Sequence, residues 1–335
     1  MYTYYIKAKN IDENIFKERG NWKRYRNGDK LNFLFIEQSQ FAPEKRFYNM
    51  EIDIENKLIY EGKDKYNLIN SFLNSKVRGE KNLVMEQTLI DINKQPFSIK
   101  ADQTFIKDNK VYILKPVKGY AKKGIEIIEN KKDFRVLYTE IRKKKDYDLW
   151  VVQEYITNPL LYLGKKFHFR CYYILTQDNK AYLYHNFTIL RAKNKYKKGD
   201  YKNQDIHISR YIPEDEKIRK KLLINDENKG AFTAEEYSLI KKGLLKVHRK
   251  IKDKIDYKCY PNAKNCFQIF GSDVIFTDDY KPKLIELNAS PSFDNKKLLF
   301  GTNQQPVLEG IMQEIIDKKF PPKNKIKKNN YLIKL

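Results

Sequence analysis

Two strand-like runs near the carboxyl end constrain the fold most strongly, because they place acids inside apolar surroundings. Phe267 to Thr277 and Pro282 to Asn288 are separated only by the polar stretch Asp278 to Lys281. A polar connection of that length is typical of a β-hairpin. We therefore expect an antiparallel pair of strands here.

The register of this hairpin determines where its polar side chains lie. If the last residue of the first run faces the first residue of the second, Asp273 lies opposite Glu286. The two-residue period of a strand then puts Asn288 on the same face. The same register predicts that Leu284 lies beside the acids and that Ile285 lies on the opposite, core face.

Two like charges opposed across a hairpin destabilise it, and partial burial increases the penalty. A hard cation such as Mg²⁺ would compensate, because it prefers carboxylate and amide oxygens and completes its shell with nucleotide phosphates and water. Asp273, Glu286 and Asn288 are therefore candidate metal ligands. Alternatively, the face is a wet edge and the acids pair with some of the many lysines.

A basic strand is predicted upstream of the hairpin. Lys166, His168 and Arg170 alternate with apolar residues, so all three share one face. Arg170 suits bidentate phosphate binding and Lys166 would act as a point charge. A solvated strand face is the alternative interpretation. Arg191, at the end of the strand-like run Ala181 to Arg191, is a further candidate for contact with an anion.

Two more segments have the chemistry of a nucleotide site. The strand Val111 to Lys115 leads into a glycine- and lysine-containing loop that includes Lys122 and Gly124. Such a loop can cover phosphates with backbone N–H groups and ammonium charge, although it lacks the P-loop pattern. Trp150 to Ile156 reads as a buried strand whose end could offer backbone groups to a purine.

Three helical segments are expected. Thr233 opens a helix through Ile251, because Thr233 and Glu236 form a capping box. A short helix is expected around Glu214 to Leu223, and another near Tyr66 to Leu73.

Charge and composition limit the function classes. The 335 residues contain 67 Lys plus Arg against 43 Asp plus Glu, a net charge of +24 that attracts acidic partners. Three cysteines are too few for a disulfide framework, which indicates a reducing compartment. No signal peptide or membrane span is apparent in the sequence. We expect a soluble, cytoplasmic monomer without a membrane partner.

In their order along the chain, these motifs resemble the tubulin tyrosine ligase-like family, and the resemblance covers roughly residues 80 to 310. It rests on ILKPVKGYAKKGI, WVVQEYITNPLLYLGKKFHFR, the short HIS at 207 to 209, and FQIFGSDVIFTDDYKPKLIELNASPS. The resemblance implies an ATP-grasp fold of the mixed α+β or α/β class, in which nucleotide binds between two β-sheet subdomains, with a smaller amino-terminal domain. The implied domains are 1–80 (amino-terminal), 81–192 (central), 193–320 (carboxy-terminal) and 321–335 (basic tail).

Site residues follow from the same resemblance. Arg170, Arg191 and Glu286 are implied as catalytic, and Asp273, Glu286 and Asn288 as ligands of Mg²⁺. The residues implied in ATP binding are Lys115, Lys122, Gly124, Gln153, Glu154, Tyr155, Ile156, Lys166, His168, Ser209, Asp273 and Asn288.

Three positions depart from the family pattern. His168 replaces the usual Asp, which puts the ribose contact in question and suggests pH dependence near neutrality. Glu154 stands where a basic residue is common, so only its backbone would be used. In the HIS motif Ser209 can supply the usual hydroxyl, while Arg210 has no counterpart.

The resemblance implies an ATP- and Mg²⁺-dependent ligase that attaches a free amino acid to a protein acceptor through an acyl phosphate. Glutamate is the favoured amino acid, hence polyglutamylation, with glycine or tyrosine as options, and the charge favours an acidic acceptor such as a tubulin tail. Two alternatives remain open. One is a ligase of the same fold that acts on small peptides, and the other is a basic nucleic-acid-binding or scaffold protein with a degenerate ATP-grasp shell. Nucleic acid is the less favoured partner, because no recognised nucleic-acid motif is present.

Overall fold

The computed structural model describes most of the chain after residue 108 and part of the region before it. The described residues are 1–7, 11–26, 29, 32–36, 68–69, 97–98, 108–116, 124–142, 150–176, 178–210, 212–252, 265–288, 291 and 304–335.

Sixteen strands in the described part of the chain form two sheets. In chain order they are β1 (Tyr2–Lys7), β2 (Trp22–Arg24), β3 (Phe33–Ile36), β4 (Leu68–Ile69), β5 (Phe97–Ser98), β6 (Tyr112–Pro116), β7 (Glu126–Ile128), β8 (Trp150–Glu154), β9 (Leu161–Tyr162), β10 (Lys165–Thr176), β11 (Ala181–Tyr184), β12 (Phe187–Arg191), β13 (Leu223–Ile224), β14 (Asn265–Phe276), β15 (Pro282–Asn288) and β16 (Leu332–Lys334).

Helices occupy the connections. They are α1 (Asn14–Lys17), α2 (Lys131–Arg142), α3 (Gln204–His207), α4 (Arg219–Leu222), α5 (Ala234–Lys252) and α6 (Gln304–Ile311). A 3₁₀ helix, Pro213–Ile218, precedes α4, and a π-helical turn, Met312–Ile316, follows α6.

The large sheet has twelve strands and is centred on β10 and β14. Its main path runs β13-β12-β10-β14-β4-β3-β1-β2, with β15 beside β14 and with β9 and β11 beside β10. β10 pairs antiparallel with both β12 and β14. The small sheet is antiparallel, in the order β5-β8-β6-β7.

β10 divides its side chains between two environments. Phe167, Phe169 and Cys171 lie on the core face of the sheet, within a hydrophobic cluster that includes buried residues of α5. On the opposite face, Tyr172 and Ile174 join a second cluster with α6 and β1. Since side chains alternate along a strand, this second face also carries the polar residues at the start of β10. We call that polar part the site face and define it by Lys166, His168 and Arg170.

The predicted opposition of the two acids is confirmed. Asp273 of β14 pairs with Glu286 of β15, and the same register continues to Gly271 and Asn288. The backbone therefore places Glu286 and Asn288 two residues apart on one face of β15.

The turn end of this hairpin differs from the prediction. Pairing begins with Phe276 opposite Pro282, one residue off the expected register, and it shifts back at a β-bulge next to Val274. Leu284 consequently pairs with Val274 and is fully buried in the core cluster, while Ile285 is the extra residue in the bulge and is half-buried. The predicted face of Leu284 is therefore wrong, because a bulge reverses the alternation. The face of Ile285 stays a prediction.

Two of the three predicted helices are observed. α5 begins after Thr233, whose backbone N–H donates to Glu236 Oε2 at 2.7 Å while the Glu236 N–H donates to Thr233 Oγ1 at 3.2 Å, which confirms the capping box. The predicted helix at 214 to 223 appears as the 3₁₀ helix and α4. The helix expected at 66 to 73 is wrong at residues 68 and 69, which form β4, and its other residues lie outside the described part.

The strands are grouped across the expected domain limits. The small sheet contains strands between residues 97 and 154, whereas β10 to β12 belong to the same sheet as β14 and β15. The end of the basic tail is also in this sheet, because β16 pairs antiparallel with β11. The division into domains at 80, 192 and 320 stays a prediction.

Candidate nucleotide and metal site

Three charged residues form a row across adjacent strands of the site face. Arg170 of β10 pairs with Asp273 of β14, which pairs in turn with Glu286 of β15. Arg170 Nε and Nη2 donate to Asp273 Oδ1 and Oδ2 at 2.5 and 2.9 Å, a bidentate ion pair. Both side chains are largely buried. The sheet register therefore brings together three residues that are far apart in the sequence.

The environment keeps Arg170 charged. Burial by itself lowers the pKa of the guanidinium, but the charge and hydrogen bonds of Asp273, together with the charge of Glu286, more than offset this effect, so the pKa of Arg170 is raised. Gly271 gives the arginine room, because a Cβ there would lie 3.4 Å from Arg170 Cδ and 3.0 Å from Pro291 Cβ. A side chain at position 271 would therefore press on Pro291 and come into direct contact with the arginine.

Lys166 presents a buried ammonium on the same face. Its Nζ donates to the hydroxyl of Tyr155 at 2.6 Å and lies 3.8 Å from the centroid of that ring. Burial, together with the charge of Lys115, lowers the pKa of Lys166 well below its usual range. Within the described residues no carboxylate lies at ion-pair distance from this ammonium.

His168 lies between the basic and acidic groups. Its Nδ1 is 2.6 Å from Ser209 Oγ, and its Nε2 is 3.6 Å from Asp273 Oδ2. Burial, followed by the charge of Arg170, lowers the pKa of His168 to about 3. The imidazole is therefore neutral at neutral pH, and the pH dependence expected from this residue near neutrality is not supported.

The small sheet contributes Lys115 from β6. Its Nζ donates to Gln153 Oε1 at 3.0 Å, and its charge acts on both Lys166 and His168. Gln153 Nε2 is buried and meets no acceptor among the described residues. A donor in that position is available to a ligand.

The end of β8 is the segment predicted to offer backbone groups to adenine, and this role stays a prediction. The N–H of Tyr155 donates to Val111 O at 2.8 Å, toward β6. Backbone groups of consecutive strand residues point to opposite sides of the strand, so the N–H and C=O of Glu154 point away from β6. The Glu154 carboxylate is exposed and pairs with Lys110, so this side chain is directed away from the site.

Four predicted residues are less completely defined. Gly124 lies two residues before the start of β7 and has a φ of 75°, and Ile156 follows β8 and is half-buried. Lys122 lies outside the described residues, and of Asn288 the backbone alone is described. The roles of these four residues stay predictions.

Arg191 is not brought to this cluster. It pairs with Phe167 across β10 and β12, which places it on the core face. Its Nε and Nη2 both donate to Asp215 Oδ1, at 3.0 and 2.6 Å. Since Asp215 is buried, this is a stable partner for the guanidinium. The catalytic role of Arg191 stays a prediction.

Two side chains at the site had no assigned side-chain role at the sequence level. The Tyr155 hydroxyl lies 2.8 Å from His207 Nδ1 while it accepts from Lys166. Tyr155 was expected to contribute as part of the adenine edge, and His207 only as part of a short motif. No local pattern signals this contact, because the two residues are 52 positions apart.

The described site thus combines the basic side chains of Lys115, Lys166 and Arg170 with the carboxylates of Asp273 and Glu286. No group of three or more His, Cys, Asp or Glu side chains among the described residues is arranged to hold a metal ion by itself. The two opposed carboxylates are hard oxygen donors that need further oxygens, such as an amide or phosphates, to complete a Mg²⁺ shell.

In the described part of the chain, no helix combines the length and apolar character that crossing a membrane requires.

Known proteins share this fold and sequence pattern. The crystal structure of the carboxy-terminal domain of K. lactis Pby1, an ATP-grasp enzyme that interacts with the mRNA decapping enzyme Dcp2, superimposes with a TM-score of 0.63 over 99% of this chain and 98% of that chain, at 17% identity. The fold is therefore an ATP-grasp fold.

Curated relatives are similar in sequence. Tubulin glycylase 3C of Tetrahymena thermophila is 25% identical over 66% of this chain and 22% of its own length. Human tubulin polyglutamylase TTLL13 is 26% identical over 57% of this chain and 25% of its own length. The chain thus spans about a quarter of the length of these two relatives. The model of the tubulin-tyrosine ligase family matches residues 54–328, most of the sequence. The chain therefore belongs to the tubulin-tyrosine ligase family.

Proposed function

We propose that this protein is an ATP- and Mg²⁺-dependent ligase that attaches an amino acid to a protein acceptor. The observation that carries the proposal is the row Arg170, Asp273 and Glu286, beside the buried ammonium of Lys166. Family membership and the ATP-grasp fold support the same reaction class.

The basic half of the site suits polyphosphate. A buried ammonium with only a neutral hydroxyl as acceptor is costly, and a second ammonium nearby increases that cost. Lys166, with the charge of Lys115 nearby, is in this situation. An anionic ligand beside Lys166 would provide the missing negative charge, and the open donor of Gln153 would bind a neutral acceptor on the same ligand.

The acidic half suits a magnesium ion. Asp273 and Glu286 would hold it, with the amide of Asn288 as the proposed third ligand. Each carboxylate oxygen of Asp273 can accept a second interaction while it is paired with Arg170. When bound, the ion would neutralise charge on the phosphates and orient them.

The chain's own residues then act mainly by position and charge. In the proposed reaction a carboxylate oxygen attacks the terminal phosphorus of ATP, ADP leaves, and an amine displaces phosphate from the acyl phosphate to form the amide. Arg170 orients the transferring phosphoryl group and balances its charge, while Lys166 and Lys115 hold the nucleotide phosphates. Electrostatic stabilisation of this kind supplies most of the catalysis in phosphoryl transfer.

The proposed acceptor is an acidic protein segment such as a tubulin tail, because the net charge of +24 attracts acidic partners. Glutamate is the proposed amino acid, with glycine and tyrosine as options, since relatives include a polyglutamylase, a glycylase and a probable tubulin–tyrosine ligase. The proposed location is the cytoplasm.

A direct assay tests the reaction. The protein is incubated with ATP, Mg²⁺, tubulin and each labelled amino acid, while ADP release and the mass of the product are measured. We expect ADP release that depends on both the amino acid and the acceptor. Bound nucleotide without ADP release, with any amino acid, would contradict the proposal.

A matched pair of variants tests the metal assignment. Glu286→Gln removes a proposed ligand charge with minimal change in shape, so turnover should fall by at least about a hundredfold. Glu235→Gln makes the same change at an exposed position in the first turn of α5 and should leave turnover unchanged. Equal activity of the two variants would refute the metal assignment.

The alternatives make different predictions in the same assay. A small-peptide ligase would consume ATP with free amino acids and no tubulin. A nucleic-acid-binding protein would bind oligonucleotides with a steep salt dependence and would not turn over ATP. Among the Phe, Tyr and Trp residues whose side chains the structure describes, none is exposed, so none of these offers an open platform for base stacking.

A further inference from the structure

A buried chain of hydrogen bonds connects the ammonium of Lys166 to the segment that contains α3. Lys166 Nζ donates to the Tyr155 hydroxyl at 2.6 Å, and this hydroxyl lies 2.8 Å from His207 Nδ1. His207 Nε2 lies 2.8 Å from the backbone oxygen of Asp200. Lys166, Tyr155 and His207 are all at least nine-tenths buried.

The hydrogen-bond partners of His207 determine where the protons lie in this series of hydrogen bonds. The carbonyl of Asp200 can only accept, so His207 carries a proton on Nε2, and in the neutral imidazole Nδ1 has a free lone pair. Tyr155 therefore donates its hydroxyl proton to His207 and presents a lone pair to Lys166. Burial lowers the pKa of His207, in agreement with this neutral form.

This arrangement leaves Lys166 oriented for an external ligand. An ammonium has three N–H donors, and the Tyr155 hydroxyl takes one of them. The others are available to phosphate oxygens. Without an acceptor at Tyr155 the ammonium would lose its orientation and a stabilising contact, and the nearby charge of Lys115 would favour its neutral form.

The segment that contains His207 also contacts both sheets. Gln204 Nε2 donates to Ile125 O at 3.1 Å, next to β7 of the small sheet. Ser209 contacts His168 of β10, and the Arg210 N–H donates to Arg191 O at 3.2 Å. His207 is therefore held in place from two sides, as a residue must be if it is to position another.

We infer that Tyr155 and His207 are positioning residues that hold the ammonium of Lys166 in the orientation that binds nucleotide phosphate. His207 acts through Tyr155, and Tyr155 acts through Lys166. The inference rests on the proposed function, in which Lys166 binds ATP, and goes beyond it by assigning a role to two side chains that need not touch the nucleotide.

The test measures ATP affinity of the full chain by calorimetry in the presence of Mg²⁺, without acceptor. Tyr155→Phe removes only the hydroxyl and should weaken ATP binding by roughly 10- to 100-fold, the usual effect of losing a hydrogen bond to a charged group. His207→Ala should weaken it less, because the hydroxyl remains. Tyr237→Phe is the control, since this buried tyrosine loses a hydroxyl that donates to Asp226 Oδ1 at 2.8 Å, a contact that includes none of Lys166, Tyr155 and His207.

A double-mutant cycle separates positioning from general loss of structure. If Tyr155 acts through Lys166, Tyr155→Phe should have no further effect on ATP affinity in a Lys166→Met background, and His207→Ala should have none in a Tyr155→Phe background. Additive losses, or a Tyr155→Phe variant that binds ATP as the unmodified chain does, would overturn this inference alone. If the unmodified chain fails to bind ATP, or if Lys166→Met binds it with full affinity, the proposed role of Lys166 in nucleotide binding is refuted as well.

Discussion

Asp273 faces two charged groups, and its roles toward them differ. It accepts both hydrogen bonds from Arg170 and lies opposite Glu286 on the next strand. Asp273 therefore stabilises a buried guanidinium, whereas Glu286, which is half-buried, adds negative charge at the edge of the same cluster. Substituting these two acids should affect stability by different amounts.

We predict that Asp273→Asn lowers the free energy of unfolding by about 3 kcal/mol, because it leaves Arg170 without its charged partner in a buried position. Glu286→Gln should produce a clearly smaller loss, since water still reaches that side chain. Urea unfolding of the two variants measures the difference. The prediction is wrong if both variants lose the same stability.

A second residue-scale prediction concerns His248 in the middle of α5. This imidazole is fully buried, with Nδ1 2.7 Å from Leu244 O and Nε2 2.6 Å from Ser272 Oγ, and its ring lies beside that of Tyr173. The carbonyl can only accept, so His248 carries a proton on Nδ1, and in the neutral imidazole Nε2 accepts from the Ser272 hydroxyl. Burial lowers its pKa to about 4, against an ordinary value of 6.5.

Between these two pH values the unfolded chain binds a proton at His248 that the folded chain does not. The free energy of unfolding should therefore fall as the pH is lowered from 6.5 to 4, with a contribution from this group of up to about 1.4 kcal/mol per pH unit. His248→Gln keeps one donor and one acceptor but does not titrate, so its stability should depend less on pH in this range. Identical slopes for the two proteins would contradict the assignment.

At the scale of elements, the strands and the alternation of the site face could be predicted from the sequence, and the contacts among them could not. Lys166, His168 and Arg170 lie on one face because a strand has a fixed period. No local sequence pattern signals the bulge at Ile285, since Ile is equally common in a regular strand. The pairing of Arg191 with Asp215 was equally invisible, because it depends on where a 3₁₀ helix packs.

The β9–β10 hairpin contains a strained element. Tyr162 pairs with Lys165, so the turn has two residues, Leu163 and Gly164, with φ values of 53° and 73°. Two positive φ values are typical of a type I′ turn, which favours Asn followed by Gly. Leu163 is about half exposed, so its side chain gains little from burial.

We predict that Leu163→Asn raises the free energy of unfolding by about 1 kcal/mol, because it relieves a left-handed conformation that a leucine adopts at a cost. Leu161→Asn is the control, since Leu161 is an exposed apolar residue of β9 without a positive φ. That variant should give no gain. Thermal or urea unfolding distinguishes the two, and a loss of stability in Leu163→Asn would show that the turn is not strained.

At the scale of the whole molecule, one buried arginine connects regions almost three hundred residues apart. The Arg19 guanidinium is fully buried and pairs with Asp317 at 2.7 Å and Glu309 at 3.0 Å. It also donates to Ile15 O at 2.8 Å. The segment that follows α1 is thereby fixed to α6 and to the π-helical turn after it, and residues of α1 and α6 pack in the same hydrophobic cluster.

We predict that Arg19→Met lowers the free energy of unfolding by about 3 to 5 kcal/mol at pH 7, because two acids lose their shared partner. The loss should shrink as the pH falls, since burial already raises the pKa of Asp317 and a protonated acid needs no cation. Arg24→Met, which breaks an exposed pair with Glu13, should change little. Equal effects of the two substitutions would contradict the prediction.

The bulge in the β14–β15 hairpin separates the turn from the acids. The pairs next to the turn, from Phe276–Pro282 to Val274–Leu284, follow one register, and the pair Asp273–Glu286 follows another. Ile285 is the extra residue between the two registers. The extra residue is absorbed locally, so it changes the register at the turn without moving the acids. Deleting Ile285 would leave one continuous register in which Leu284 still faces Val274 in the core and Glu286 still faces Asp273. The pairing of the acids therefore tolerates a change of one residue in the strand that leads to them.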